Sequence, residues 1–267
     1  MLLLSLIPMQ FETSNIMLAT PEIFLLAGTC FVLLADLFVK DSQRFITYLL
    51  TQIVLLATAA FVLFGTSEMN LILAESLETT AKEGATAFSD MFVFDPMAKI
   101  LKISILLVTV GVFVYSREYL RSRDMYTGEY FTLGLFAVLG MMIMVSAETM
   151  LLIYLGLELL SLAMYAMVAF KRDDGRASEA AMKYFVLGAI ASGMLLYGIS
   201  IIYGVSGSLH LDHIASYMST HPVMSNMGLL LGLSFIIVGL GFKLGVVPFH
   251  MWVPDVYDGS PTVVSLF

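Results

Sequence analysis

The chain has 267 residues, of which 59% are hydrophobic and only 13% are charged, and its formal net charge is −8. Soluble domains usually carry about 45–50% apolar and about 25% charged residues, and a soluble globule of this size could not bury such an apolar excess. The composition therefore excludes a soluble enzyme and a disordered chain. The negative charge, without a basic patch, also excludes a nucleic-acid-binding protein. The sequence predicts an integral membrane protein.

Apolar windows of the length that crosses a bilayer, about 20 residues, recur along the chain. We therefore predict an all-α, polytopic transmembrane helical bundle with seven complete spans and the start of an eighth. The alternating pattern of a membrane β-barrel is missing. The predicted spans cover residues 20–39, 45–66, 97–116, 130–147, 149–170, 181–204 and 227–253, and the eighth begins near residue 261.

Two spans begin at a polar residue that is followed by proline. The first opens with Thr20-Pro21-Glu22 and the third with Asp95-Pro96. A side-chain oxygen can cap the first free N–H groups of a helix, and proline lacks the N–H that would be unsatisfied at the first helical position. We therefore expect Thr20 and Asp95 to cap their helices.

The basic residues predict how the bundle is oriented. Eight of the 13 lie on alternate loops and hence on one side of the membrane, and the opposite loops hold only Lys82. By the positive-inside rule, the basic loops are cytoplasmic and the N-terminus is outside. No basic residue precedes Lys40, so we do not expect a cleaved signal peptide. The eight are Lys40, Arg44, Arg117, Arg121, Arg123, Lys171, Arg172 and Arg176.

Glu158 is the first ionisable residue that lies where lipid should exclude it. It is the only charge between Thr149 and Phe170 and lies near the middle of that span. A central charge costs roughly 2.5–3.5 kcal/mol on insertion scales, so such residues usually face protein or a wet cavity. Tyr154, Glu158, Ser161 and Tyr165 share one helical stripe. The alternative is a protonated carboxyl that serves only helix packing.

Lys243 is the second such residue. Gly239, Gly241 and Gly245 surround it and Pro248 follows, so the seventh helix should break at membrane depth and free backbone groups that protein or water must satisfy. Interrupted spans with an intramembrane charge commonly form ion sites in transporters. The alternative is a kinked structural helix whose lysine reaches the membrane interface.

Lys183 and His250 are weaker candidates. Lys183 enters the sixth span within about one turn of its cytoplasmic end, where a lysine can equally well reach the interface. His250 follows Lys243 by seven residues, so a continuous helix would place both on one face. It could pass protons near neutral pH, or it could simply be a satisfied histidine at a helix end.

Three stretches resemble the antiporter-like membrane subunits of respiratory complex I. They are Gly156–Leu162 around Glu158, Glu179–Phe185 around Lys183, and the segment from Gly241 to Tyr257 that contains Lys243 and Pro248-Phe249-His250-Met251-Trp252-Val253-Pro254-Asp255. The segment Arg117-Glu118-Tyr119-Leu120 fits the same subunits. The resemblance runs from about residue 20 to the last residue.

The resemblance implies a proton-pumping module. In this family a glutamate on the fifth span pairs with a lysine on a broken seventh span, and further lysines continue a hydrated relay. Glu158 and Lys243 fall on the first two positions and Lys183 on a further lysine. The resemblance also implies that the complex uses NADH, FMN, iron–sulfur clusters and quinone in other subunits. We expect no cofactor and no metal in this chain, which has no phosphate loop or CxxC cluster.

Members of this family are roughly twice as long, with a second inverted repeat that carries further lysines. We therefore expect this sequence to be a fragment or a truncated product. The resemblance divides it into an N-terminal three-helix segment, residues 1–128, and a first antiporter-like repeat, residues 129–267. It predicts a multi-pass protein of the bacterial inner membrane whose partners are other complex I membrane subunits. The alternatives are a subunit of a multi-subunit sodium/proton antiporter and a structural membrane scaffold.

Overall fold

A computed structural model describes residues 13–40, 43–65 and 85–267. Most of these residues are helical. The helices are α1 (Thr13–Leu18), α2 (Thr20–Asp36), α3 (Phe45–Phe64), α4 (Pro96–Ser122), α5 (Gly128–Val145), α6 (Met150–Val168), α7 (Gly175–Ser206), α8 (Leu211–Thr220), α9 (Met227–Lys243) and α10 (Trp252–Gly259), with a 3₁₀ turn at Val223–Ser225.

Within the described ranges, five helices are long and apolar enough to cross a membrane, namely α3, α4, α5, α6 and α7. The helices α2 and α9 have 17 residues each, or about 26 Å at 1.5 Å per residue, slightly less than a bilayer core of about 30 Å. The protein is therefore an integral, multi-pass helical membrane protein, as the composition predicts. Lys82 and residue 66, the predicted end of the second span, lie outside the described residues.

Successive long helices run in opposite directions, so alternate connections lie at the same end of the bundle. The loop between α6 and α7 and the loop between α4 and α5 lie at one end, which we call the basic end. Exposed ion pairs occur there, with Arg172 2.9 Å from Glu129 and Lys171 2.9 Å from Asp174. The hydrogen bond from Lys171 holds the pKa of Asp174 below its ordinary value, which favours the carboxylate that accepts the Arg176 N–H at the start of α7.

A β-hairpin at the opposite end departs from the all-α prediction. Strand β1 (Ala85–Ala87) pairs antiparallel with β2 (Phe92–Phe94). The edge of β2 pairs further with the α5–α6 connection, because the Val93 N–H donates to Ser146 O and the Glu148 N–H donates to Met91 O. Two strands of three residues each are too short for hydropathy to distinguish from a loop, so the sequence does not predict them.

The two predicted helix caps have different outcomes. Asp95 caps α4 as expected, since its carboxylate accepts the Ala98 N–H at 2.6 Å. The prediction for Thr20 is wrong. Its hydroxyl instead donates to Ile16 O, and Ala19 occupies the cap position of α2. The short helix α1 precedes α2 directly and directs the threonine side chain back along the chain.

Glycines bring the central helices together in two close pairs. In the pair α5–α6, a Cβ placed on Gly140 would lie 2.6 Å from Gly156 O, and a Cβ on Gly156 would lie 2.7 Å from Gly140 O. In the pair α7–α9, a Cβ on Gly198 would lie 2.8 Å from Gly232 O, and one on Gly239 would lie 3.0 Å from Ala191 O. Backbones approach this closely only where side chains are absent, as is common between membrane helices.

The predicted span 227–253 is broken, as the glycine and proline pattern indicated. Helix α9 ends at Lys243, and Gly245 adopts a left-handed φ of 63°. The Gly245 N–H donates to Phe242 O and the Val246 N–H donates to Gly241 O. These two hydrogen bonds form a Schellman motif, in which a left-handed glycine ends the helix. The chain becomes helical again at Trp252.

The segment after the break returns to pack on α7. The Trp252 indole stacks on Tyr184 with ring centroids 4.6 Å apart and donates its N–H to Phe242 O at 3.0 Å. At the end of α10, a Cβ on Gly259 would lie 2.6 Å from Ala180 Cβ. Residues 261–267 form turns and not the start of an eighth helix. The predicted eighth span therefore has no helical beginning in the structure.

The substitution Gly140→Ala should lower the thermal unfolding midpoint of the protein. The new methyl group would collide with the backbone of α6, and overpacking of this kind costs about 1–3 kcal/mol. The matched control is Gly111→Ala in α4, where a Cβ would meet nothing within 4 Å. Equal unfolding midpoints for the two variants, measured in lipid nanodiscs, would contradict the close packing of α5 and α6.

Candidate functional site

The Glu158 carboxylate lies halfway along α6 and faces α7. Ser192 of α7 donates its hydroxyl to Glu158 Oε2 at 2.6 Å. The Glu158 side chain is 24% exposed and Ser192 is buried. A carboxyl group at this depth therefore has a protein partner, as the absence of hydrogen-bonding groups in lipid requires.

The Lys243 ammonium lies across from the same face of α6. Its Nζ donates to Ser161 Oγ at 2.7 Å and to Tyr165 Oη at 3.0 Å, and it lies 3.7 Å from Glu158 Oε2. The Lys243 side chain is only 7% exposed. Three of the four residues in the polar stripe of α6 thus surround one buried cation. Tyr154, the fourth, lies one turn before Glu158 and is partly buried.

The broken helix places the cation where the helix itself favours positive charge. Lys243 is the last residue of α9, and the C-terminal end of a helix carries a partial negative charge from its unsatisfied carbonyls. The Phe242 carbonyl is bound by Gly245 and Trp252. Gly241 O accepts the Val246 N–H, so the carbonyls of the two residues before Lys243 both have hydrogen-bond partners.

The acid and the amine meet between the two close helix pairs. Glu158 belongs to the pair α5–α6, whereas Lys243 and Ser192 belong to the pair α7–α9. We call this interface the seam. At Gly188 of α7, a Cβ would lie 2.1 Å from Tyr165 Oη, so the missing side chain lets the tyrosine reach Lys243. The contacts of Lys243 with Glu158, Ser161 and Tyr165 all cross the seam, and so does the hydrogen bond from Ser192 to Glu158.

A cavity of about 210 Å³ extends from Lys243 and Ser161 towards the basic end. Leu157, Met164 and Val168 of α6 form part of its wall, and Tyr184, Trp252 and Tyr257 lie on the opposite side. The cavity can hold several waters at about 30 Å³ each, with hydroxyl groups of serine and tyrosine as partners.

Lys183 lies outside the contact of Glu158 and Lys243. Its Nζ forms ion pairs with Asp255 Oδ2 at 2.8 Å and with Glu179 at 2.9 Å, and its side chain is 44% exposed. It therefore links α7 to α10, close to the stack of Tyr184 on Trp252. The two sequence stretches that contain Lys183 and Asp255 meet in space at this point.

His250 does not share a helix face with Lys243. The chain from Leu244 to Met251 is not α-helical, so the seven-residue spacing carries no meaning and that expectation is wrong. The His250 side chain is exposed, and its carbonyl accepts the Val253 N–H just before α10 begins.

The sequence does not predict two polar contacts of the structure, that of Ser192 with Glu158 and that of Lys102 with Glu22. Ser192 is a serine among alanines and glycines, and nothing in its spacing marks it as a partner of Glu158. Lys102 of α4 is fully buried, and its Nζ lies 2.6 Å from the Glu22 carboxylate of α2. The signal was available, because Glu22 and Lys102 are charges inside apolar windows of neighbouring helices.

No group of three or more His, Cys, Asp and Glu side chains that could hold a metal occurs within residues 13–40, 43–65 and 85–267. His210 and His213, which are close in sequence, have ring centroids 5.9 Å apart at the start of α8.

Comparison with known proteins connects this geometry to a family. Residues 147–267, which contain Glu158, Lys183 and Lys243, match the family described as NADH:quinone oxidoreductase/Mrp antiporter, TM. The match begins one residue before Glu148 and covers the whole seam except α5. The likeness to that family therefore covers 121 of the 267 residues of this chain, and these include both members of the acid–amine pair.

Curated relatives extend the similarity to nearly the whole chain. It is 54% identical over 259 residues to NADH-quinone oxidoreductase subunit N of Thioalkalivibrio sulfidiphilus, which covers 97% of this chain and 51% of the relative. It is 50% identical over 254 residues to the subunit N of Methylovorus glucosotrophus, covering 95% and 50%. The chain thus spans about half the length of the curated relatives it matches.

Solved structures show the same fold. A chain of respiratory complex I from Thermus thermophilus with bound aureothin aligns with a TM-score of 0.67 at 28% identity, over 92% of this chain and 48% of that chain. A chain of the membrane-bound sulfane sulfur reductase, an archaeal respiratory membrane complex, aligns with a TM-score of 0.71 at 22% identity, over 93% and 49%. The second likeness concerns the fold alone.

Substitution of Gly245 should reveal how strongly the left-handed glycine fixes the end of α9. Both Gly245→Ala and Gly245→Asn add the same Cβ beside Val253. A left-handed conformation costs about 1–2 kcal/mol for most residues, but asparagine tolerates it. The alanine variant should therefore unfold at a lower temperature than the asparagine variant. Identical unfolding midpoints would indicate that α9 continues past Lys243.

Proposed function

We propose that this chain is a proton-translocating membrane subunit of NADH-quinone oxidoreductase, in which NADH-to-quinone electron transfer is coupled to proton pumping. The observation that supports this function most directly is the acid–amine pair of Glu158 and Lys243, which is held inside an apolar bundle at the end of a broken helix. As part of that complex, the chain contributes to a translocase but carries no redox centre of its own. NADH, FMN, iron–sulfur clusters and quinone are bound by other subunits.

The contacts of Lys243 suit a residue that gains and loses a proton. An ammonium needs acceptors and a neutral amine needs a donor, and the hydroxyls of Ser161 and Tyr165 can serve as either. The Ser192 hydroxyl can likewise donate to a carboxylate or accept from a carboxylic acid at Glu158. Glu158 and Lys243 can therefore each gain or lose a proton without leaving a buried polar group unsatisfied.

The seam supplies a means of coupling. While Glu158 and Lys243 are close, each charge stabilises the other. A small displacement of the pair α5–α6 against α7–α9 would separate them, which lowers the proton affinity of the amine and raises that of the carboxylate. A movement transmitted along the membrane arm would thereby become a proton transfer. The cavity beside Lys243 offers space for water on the route to the basic end.

Lys183 and His250 are proposed as further members of the relay. Lys183 lies with Asp255 beside the wall of the cavity that Tyr184 forms, so it could exchange protons with water there. His250 lies at the exposed end of the break, and imidazole is a common proton shuttle in proteins.

We propose that the complete topology comprises seven spans and an eighth that the turns of residues 262–266 introduce, with α2 as the first span and α9 to α10 as the broken seventh. The basic end faces the cytoplasm of a bacterial cell, and the N-terminus lies outside the inner membrane. The division into residues 1–128 and 129–267 is part of the same proposal. The partners are other membrane subunits of the complex, and the transported ion is the proton.

Two alternatives make different predictions. A multi-subunit sodium/proton antiporter is favoured by the family description, which names the Mrp antiporter beside the oxidoreductase, and it predicts sodium-dependent transport without NADH or quinone. A structural scaffold predicts that neutral substitutions in the seam lower assembly but leave transport intact.

The replacements Glu158→Gln and Lys243→Met should each lower proton pumping severalfold in the assembled complex, because each removes one charge of the pair. Proton uptake by inverted membrane vesicles, measured per NADH oxidised, gives the result. Matched controls are Glu129→Gln and Lys171→Met, which remove exposed charges at the basic end and should leave pumping unchanged. Normal pumping by both seam variants in assembled complexes would contradict the proposal.

The role of Lys183 can be separated from the docking of α10. The double variant Lys183→Met/Asp255→Leu removes the ion pair but retains the stack of Trp252 on Tyr184. If Lys183 relays protons, the double variant should assemble normally and pump several times more slowly. Pumping at the normal rate would show that Lys183 only joins α7 to α10. Assembly is measured by native gel electrophoresis of the solubilised complex.

A further inference from the structure

A second buried acid–amine pair lies at the end of the bundle opposite the basic end. Lys102 Nζ of α4 is 2.6 Å from Glu22 Oε1 of α2, and the side chains are 0% and 8% exposed. The second carboxylate oxygen, Glu22 Oε2, is buried without a hydrogen-bond partner among the described residues. The proposed proton route does not use this pair.

The β-hairpin covers the pair and supplies the remaining contacts of the ammonium. Lys102 Nζ lies 4.9 Å from the ring centroid of Phe92 and 4.8 Å from that of Phe94. Both rings belong to β2 and both are buried. A cation over two aromatic faces is attracted by their negative charge density, most strongly where water is excluded. The pair therefore attaches β2 to the helices α2 and α4.

The same strand holds the segment that starts the Glu158 helix. Besides the two hydrogen bonds of Met91 and Val93 with residues 146–148, Phe92 and Ala147 form an antiparallel bridge. Thr149 follows at once and caps α6 by accepting the Leu152 N–H. The hydrogen-bonded segments thus lead directly into the helix that carries Glu158.

The hydrogen bonding continues to the end of the Ser192 helix. The Met150 N–H donates to Leu209 O and the Leu211 N–H donates to Glu148 O. Residues 209–211 lie two residues beyond the end of α7 at Ser206. We call the chain of segments 85–87, 92–94, 146–150 and 209–211 the ladder. It joins the pair α5–α6 to the pair α7–α9 at one end of the seam.

We propose that the buried Glu22–Lys102 pair anchors the ladder and thereby positions Glu158 against Ser192 and Lys243. Glu22 and Lys102 are positioning residues, because they contact neither the Glu158–Lys243 pair nor the side chains that bind it. The ladder fixes the seam at one end, so relative movement of the two helix pairs is confined to the part of the seam that lies towards the basic end and includes the contact of Glu158 with Lys243. The inference rests on the proposed function for its effect on pumping.

The anchoring depends on both charges being present. Loss of one partner of a buried ion pair leaves an uncompensated charge, which is strongly destabilising for the surrounding structure. Without the ammonium, Glu22 must find a proton or water, and β2 loses the cation beneath its two phenylalanine rings. The ladder should then open more often, while the helices, which the glycine contacts hold together, remain folded.

Hydrogen–deuterium exchange of the full-length protein in its assembled complex tests the anchoring. In Lys102→Met, the amides of Val93, Glu148, Met150 and Leu211 should exchange about tenfold faster or more. Proton pumping per NADH oxidised should fall in the same variant. If Lys102→Met does not assemble, Glu22→Gln serves as the second variant. It keeps the shape of the side chain and an acceptor oxygen, so exchange at the same amides should rise by a smaller factor and pumping should fall less. Lys99→Met, on the neighbouring turn of α4, is the matched control and should change neither quantity.

A reversible cross-link separates positioning from a direct role in proton transfer. Thr149→Cys and His210→Cys, at positions that face each other in a second antiparallel bridge of the ladder, can form a disulfide in a background with Cys30→Ser and leave both rings over Lys102 in place. In Lys102→Met, oxidation should restore slow exchange in the ladder together with normal pumping, and reduction should remove both. The same cysteines with Lys102 intact should pump alike when oxidised and when reduced.

Unchanged exchange in both Lys102→Met and Glu22→Gln would overturn the proposal. It would also fail if the disulfide restored slow exchange but not pumping, since Lys102 would then act on protons directly. These results are distinct from failure of the proposed function, in which Glu158→Gln and Lys243→Met pump normally. In that case the exchange result still decides whether the pair anchors the ladder.

Discussion

A charged side chain inside a membrane bundle is stable only where other helices supply its partners, and this constraint accounts for the centre of the structure. The Lys243 ammonium is bound by Ser161 and Tyr165, and the Glu158 carboxylate is bound by Ser192 and lies 3.7 Å from the amine. Each of these contacts joins one close helix pair to the other. The polar groups therefore hold together a seam whose remaining surface is apolar.

The glycines and the helix break determine where this seam lies. Gly140 and Gly156 let α5 and α6 approach as one unit, and Gly239 does the same for α7 and α9. Because α9 ends in a Schellman motif at Gly245, its last residue, Lys243, lies at the helix terminus, where the peptide dipoles favour a cation. Packing is rigid within each pair and polar between pairs, which is the arrangement required if small relative movements are to change proton affinity.

The sequence predicted those features that depend on local composition. Apolar length predicted the long helices, and the glycines and proline around Lys243 predicted the break. The sequence did not predict features that depend on tertiary contacts. The spacing of Lys243 and His250 assumed a helix that the break interrupts, and the cap expected at Thr20 was displaced by a preceding helix. Burial of Lys102 depends on a hairpin of six strand residues that has no hydropathy signal of its own.

A double-mutant cycle on proton pumping tests most directly whether Glu158 and Lys243 act as one unit across the seam. The account predicts that the variant carrying both Glu158→Gln and Lys243→Met loses little more pumping than either single variant, because the first substitution already destroys the interaction that the second removes. Independent effects, in which the logarithms of the two losses simply add, would contradict it. Such a result would mean that the acid and the amine serve separate steps and that their proximity has no part in transport.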